Sequence, residues 1–225
     1  QMAEQLETNE RRRRELLADI THELRTPLQV IRGSVEGMLD GLYPADASHL
    51  QPVLAETIVM ARLLDDLRTL SMVDAGVLEL HREVFDPTAV AEDVVQTFRG
   101  MAEVAGVVLE VESSGPGQMD ADPVRLAEIL ANLVTNAVRH SPRGGRVTVR
   151  VSRASDGTVF EVRDAGPGIP ADQLPTIFDR FVTADAGGTG LGLAIARRLV
   201  EAHGGTIMAV SPAGGGTTMH LVIPG

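Results

Sequence analysis

The chain has 225 residues, 44% hydrophobic and 23% charged, the values of a globular protein of one or two domains. It has no cysteine, which excludes a disulfide framework, a zinc–thiolate site and thiol catalysis, and its net charge of −11 argues against bulk binding to nucleic acid or anionic lipid. All 20 basic residues are Arg, so neither a catalytic lysine nor a Walker-type phosphate loop, which ends in Gly-Lys, is available.

No run approaches the ~18 apolar residues of a membrane span, and nothing at the start resembles a signal peptide. The first residue is Gln, so a fragment or a processed chain is expected. Trp is absent and aromatics are 3%, too few for base-stacking platforms.

In chain order, the first element is a long helix. Leu17, Ile20, Leu24, Leu28, Ile31, Val35, Met38 and Leu42 follow one another in steps of three and four, close to a coiled-coil seam. A second apolar series runs through Leu50, Val53/Leu54, Ile58, Ala61, Leu64, Leu67 and Ser71. Gly41 to Ser48 separates the two, with Asp46 or Ser48 placed to cap the second helix. A hairpin whose first arm is about 54 Å long at 1.5 Å per residue has nowhere to bury both seams alone. The expected solution is a homodimer forming a four-helix bundle; the alternative is packing against the rest of the same chain.

A linker is expected over 77–86, and from Pro87 the rhythm changes. Thr88 to Ala105, Arg125 to His140 and residues 190–203 read as helices, the last stopped by Gly204-Gly205. Alternation at Val107/Leu109/Val111, Val147/Val149/Val151, Phe160/Val162 and Met219/Leu221/Ile223 reads as strands, which gives helices layered on one mixed sheet.

Four stretches carry chemistry. His22-Glu23-Leu24-Arg25-Thr26-Pro27 lies inside the first helix, with His22 off the seam and Thr26 one turn on along the same side. An exposed imidazole beside a carboxylate suits a nucleophile with an orienting base, although the dipeptide alone also fits a solvated helix face. Pro27 costs ~3 kcal/mol in a helix interior unless something uses it. Asn132 and Asn136 share one face of their helix, where amide oxygens suit a hard cation such as Mg²⁺, with Arg139 near for phosphate; a plain polar face fits equally. Asp164-Ala165-Gly166-Pro167-Gly168-Ile169 closes a strand, so backbone approaches a flat ligand there and Asp164 is placed to accept from an exocyclic amine. Gly188-Thr189-Gly190-Leu191-Gly192-Leu193 enters a helix and offers amides to phosphates; no strand precedes it, so a Rossmann reading fails.

In this order the four motifs resemble those of a bacterial two-component sensor histidine kinase. Ile177-Phe178-Asp179-Arg180-Phe181 resembles that family's phenylalanine motif, and Gly215-Gly216-Thr217-Thr218-Met219 with Leu221 to Pro224 resembles its closing strand. The resemblance covers nearly the whole chain. It implies an α+β protein: residues 1–15 end a membrane-proximal signalling helix, 16–76 form the dimerisation and histidine-phosphotransfer hairpin, and 87–225 form an ATP-binding α/β sandwich shared with gyrase and heat-shock chaperone ATPases. The Arg11–Arg14 run is then most simply a solvated face.

Carried over by residue, the resemblance makes His22 the phosphoacceptor, Glu23 its acid/base partner and Thr26 a phosphatase residue. Asn136 is the Mg²⁺ ligand. Asn132, Arg139 and His140 contact the nucleotide, Asp164 reads adenine, and Gly166, Gly168, Ile169, Thr189, Gly190, Leu191, Gly192 and Leu193 shape the pocket and its lid. The related ATPases use Glu where Asn132 stands, and an amide does not deprotonate water, so the γ-phosphoryl is expected to go to His22. Only Val182 to Ala186 separate Phe181 from Gly187, a shorter lid than the family usually has. The resemblance also implies ATP and Mg²⁺ as cofactors, a homodimer, a response-regulator partner, and a cytoplasmic location at a bacterial inner membrane reached through segments outside this chain. The alternatives are a nucleotide-binding signalling scaffold without transfer and a gyrase-like ATPase.

Overall fold

A computed structural model describes residues 2–183, 188–212 and 214–224, with side chains from residue 20 onward. The Arg11–Arg14 side chains and part of the short lid, Ala184 to Ala186, lie outside what is described. The chain divides into two compact units, Gln1–Arg68 and Thr69–Gly225.

The first unit is the helical hairpin. α1 runs Met2–Leu39 and continues through Pro27 without interruption. Proline has no N–H, so the carbonyl of Glu23 loses its helical donor, which loosens the backbone in the turn that carries His22. α2 runs Ala47–Asp74, beyond the unit boundary. Its start is fixed by Asp46, whose Oδ1 accepts from the Ser48 and His49 N–H groups at 3.0 and 3.2 Å. Hydrogen bonds from Ser48 and His49 lower the Asp46 carboxyl to about 2. The Tyr43 ring stacks on His49 with centroids 5.3 Å apart. Along the hairpin, Leu28 and Val35 on α1, Leu42 in the turn, and Leu50, Leu54, Ile58 and Leu64 on α2 are exposed in the single chain.

The second unit is built on a mixed five-stranded sheet in the order β2-β4-β5-β7-β6. β2 (Val108–Ser113) pairs parallel with β4 (Arg146–Ala154); β5 (Gly157–Arg163), β6 (Thr206–Val210) and β7 (Thr218–Ile223) join antiparallel. The parallel pair needs a crossover, and α4 (Pro123–His140) supplies it. With α3 (Pro87–Ala105) and α5 (Gly192–Ala202), α4 covers one face of the sheet.

The core between these layers holds Leu126, Ile129, Leu130 and Leu133 of α4, Phe160 of β5, Ile195 and Leu199 of α5 and Leu221 of β7, all essentially inaccessible. Alternation sends the opposite residues of each strand to the other face, where Arg150 bridges Glu112 and Glu161 across three strands at 2.8 and 3.4 Å.

The helices expected from periodicity are present, and α3 and α4 begin as their Asp-Pro pairs dictate: Asp86 and Asp122 cap, and Pro87 and Pro123 open the first turn. Three strands carry no usable periodicity. β1 (Glu83–Phe85) lies inside the stretch read as a linker and pairs antiparallel with β3 (Met119–Ala121); β6 is a short edge strand with alternate residues only half-covered. That stretch is therefore fastened to the second unit. His81 N–H donates to Asp122 Oδ2 at 2.9 Å, and Arg82 donates to the carbonyls of Asp120 and His203. Burial would raise the Asp122 carboxyl, but hydrogen bonds from the Arg125, His81 and Val124 amides hold it below its ordinary value.

Candidate functional site

In the first unit, α1 presents His22, Arg25 and Thr26 to solvent, while Glu23 and Leu24 are half-buried. His22 and Thr26 stand four residues apart on one helix face, so hydroxyl and imidazole are neighbours along the same side.

In the second unit the expected nucleotide residues converge on the C-terminal half of α4. Leu130, Leu133, Val134 and Ala137 turn into the core, which leaves Asn132, Asn136, Arg139 and His140 on the partly accessible side. Two loops close against that side. The first leaves β5 at Asp164, which is 8% exposed. Its Oδ1 accepts from the Gly166 N–H at 2.8 Å and the Thr217 N–H at 3.0 Å. Burial pushes the Asp164 carboxyl up, against the pull of those two amides and of His140.

The turn that follows is laced to the chain's last hairpin. Gly216 N–H donates to the Gly166 carbonyl at 2.6 Å, Ile169 N–H donates to Ser211 Oγ at 2.7 Å, and Ser211 Oγ donates to the Gly216 carbonyl at 3.0 Å. Ser211 and Thr217 thus support the Asp164 turn, and sequence pattern did not identify them. Both lie more than 40 residues downstream of their partners, and only the β5–β7 pairing brings them together.

The second loop is the glycine run that opens α5. A Cβ built on Gly192 would lie 3.1 Å from Asn132 Oδ1, which sets the Asn132 amide against the first turn of α5. Gly188 lies against the Arg139 guanidinium. Leu191, the N-cap residue, contributes no side-chain hydrogen bond and its own side chain is buried, so its role is a backbone one. Amides at such an uncapped helix start suit a phosphate, with Arg139 adjacent to share the charge. Thr189 Oγ1 accepts from the Leu191 N–H at 3.4 Å and braces the loop; Leu193 is half-buried behind it.

Asn132 and Asn136 offer amide oxygens one turn apart beside this loop. Neutral amide oxygens of this kind fit Mg²⁺, which takes few protein ligands and shares the rest with phosphate and water. Among the described residues no cluster of three His, Asp or Glu offers an alternative all-protein metal cage.

The arrangement therefore places a buried carboxylate at one end, a helix start without a side-chain cap at the other, and the Asn132 amide against that helix start. Residues 121–225 match the family model described as histidine kinase-, DNA gyrase B-, and HSP90-like ATPase. Residues 12–76 match the His Kinase A (phospho-acceptor) domain. The signal transduction histidine-protein kinase BaeS of Escherichia coli K12 is 34% identical over 230 residues, covering 100% of this chain and 49% of that protein. The sensor histidine kinase WalK of Bacillus subtilis is 33% identical over 229 residues, covering 97% and 38%. Among solved structures, that of the Acinetobacter baumannii histidine kinase AdeS superposes with a TM-score of 0.80 at 31% identity, covering 90% of this chain and 97% of that one. The chain spans half or less of these two full-length relatives.

Proposed function

The chain belongs to the histidine kinases, and on that premise we propose that it transfers the γ-phosphoryl of ATP to His22 and passes it to an aspartate of a response-regulator receiver domain. Asp164 reads the adenine amine, the first turn of α5, Asn132 and Arg139 hold phosphates, and Asn136 would carry Mg²⁺, whose charge would offset that of the transferring phosphoryl group. Glu23 is placed to accept the proton that His22 loses on attack. Dimerisation through the exposed stripes of α1 and α2 completes the bundle; the whole protein is then a membrane-anchored sensor whose cytoplasmic core is this chain. No described helix is long and apolar enough to cross a membrane.

The observation that carries the reading is Asn132 against Gly192. The side chain facing the phosphate loop is an amide, which can orient a phosphate or a metal-bound water but cannot take a proton from water. A plain ATPase is disfavoured by that group, and a non-catalytic scaffold by the exposed His22 in its loosened turn.

Incubation with γ-labelled ATP and Mg²⁺ tests it. Acid-labile, base-stable label on the protein is expected, and His22→Gln removes it while ATP binding and the dimer persist. Free phosphate without labelled protein, or label on another histidine in the variant, defeats the assignment.

A further inference from the structure

α2 ends on the wrong charge. A carboxylate in the last turn of a helix opposes the partial negative charge of the terminal carbonyls, and α2 has no basic residue there to offset it. Asp74 is instead paired from outside the helix. Its Oδ2 accepts from Arg180, and its Oδ1 lies 3.6 Å from Nε of Arg198 on α5. Arg180 is partly buried, Asp74 and Arg198 are exposed, and all three belong to the second unit.

Both arginines lead to the phosphate loop. Arg180 precedes Phe181, the one described non-glycine residue at positive φ (60°), a strained setting for a bulky side chain. Phe181 N–H donates to the Gly190 carbonyl at 2.9 Å. Gly190, itself at φ 63°, admits this approach only because it has no side chain: a Cβ there would lie 2.6 Å from the Phe181 backbone. Two left-handed residues thus interlock at the entrance of α5. Asp74 touches that entrance from two sides, through Arg180 on the strained turn leading in and through Arg198, which also pairs with Glu201 at 2.9 Å, on the helix leading out.

We propose that Asp74 is a positioning residue for phosphoryl transfer: it ties the final turn of α2 to the Phe181–Gly190 clasp and so sets the phosphate-binding start of α5. This rests on the nucleotide reading of the site and extends it to a residue that touches no nucleotide. Because α2 is one continuous helix from Ala47 to Asp74, a twist of that helix has a contiguous mechanical route to the phosphate loop.

The test compares Mg²⁺–ATP with adenosine, since adenosine engages the Asp164 end alone. Wild type, Asp74→Asn, Arg180→Gln, the double variant and Asp74→Glu are measured by calorimetry and by autophosphorylation at limiting and saturating ATP. Asp74→Asn is expected to weaken ATP about threefold, the scale of a partly exposed ion pair, and to leave adenosine unchanged. Labelling slows at limiting ATP and recovers at saturation, Asp74→Glu retains affinity, and the double variant is no worse than the weaker single variant. Equal losses for ATP and adenosine, additive losses in the double variant, or no loss at all overturn the proposal. A wild type that binds adenosine but gains nothing from the phosphates defeats the phosphate-loop reading itself, which separates the two failures.

Discussion

His22 and Asp164 occupy opposite kinds of surroundings. His22 stands in solvent on a helix that leaves much of its apolar stripe uncovered, whereas Asp164 is buried and fixed by two backbone amides. The first unit leaves apolar residues exposed along both helices, and its candidate residues point outward. The second has a closed core, and its chemistry lies largely in backbone brought close by glycines. A phosphoacceptor must be reachable by a donor and then by a receiver. A nucleotide reader must keep its geometry while ligands come and go.

The sharpest way to break this contrast is to damage one unit and watch the other. Phe160→Ala empties the centre of the second core and should cost about 3–5 kcal/mol. The denaturation transition of that unit should shift while the hairpin keeps its helical signal. Ile58→Asp, on the exposed stripe of α2, should leave the second unit's transition in place and shift sedimentation from dimer to monomer. A single transition moved by both variants would mean that the units do not fold separately.

What could be read from the chain follows the same division. The hairpin was legible because its code is local: apolar steps of three and four, a Gly–Pro break, and Asp46 ahead of α2. The nucleotide motifs were legible as motifs, since glycine spacing and the Asn pair survive in one dimension. Their supports were not. Ser211 and Thr217 act on the Asp164 turn only through strand pairing, β1 and β3 are three residues each and stabilised by each other, and the Asp74–Arg180 pair joins residues 106 apart. Long-range backbone lacing leaves no periodic trace.

The next prediction concerns the buried end. Asp164→Asn replaces a charged acceptor by an amide that can also donate, so ATP affinity should fall by about 2 kcal/mol, roughly thirtyfold. Labelling from GTP should be far below that from ATP in the wild type. Comparable labelling from both nucleotides would remove the specificity role assigned to Asp164.

At the exposed end, Thr26→Ala separates positioning from structure. If the hydroxyl orients water toward an aspartyl phosphate docked on the hairpin, dephosphorylation of the regulator should drop about tenfold, roughly 1.4 kcal/mol, while autophosphorylation survives. If both activities fall together, Thr26 serves only the backbone ahead of Pro27.

The smallest expected effect is a pH dependence confined to the second unit. His203 is 2% exposed, its Nε2 accepts from the Asp122 N–H at 3.2 Å, and its Nδ1 bonds the Leu199 carbonyl at 2.7 Å. That arrangement needs the neutral ring with its proton on Nδ1. Burial, with Arg82 nearby, keeps its pKa below 6.5, against the pull of the Leu199 carbonyl and Asp122. The unfolded chain therefore binds a proton that the folded unit refuses as pH falls through 6.5, so this group's stabilisation is whole above 6.5 and is lost below it. Between pH 6.5 and 5.5 the loss from one such histidine is at most about 1 kcal/mol. Chemical denaturation of wild type and His203→Gln across that interval isolates it, because every other titrating group is common to both. The variant should be less stable at pH 7.5 and show a shallower slope toward pH 5.5. Equal slopes would mean that His203 is protonated in the folded unit, with its ring donating where the structure has it accept, and the α4–α5 junction would have to be redrawn around a charged imidazole.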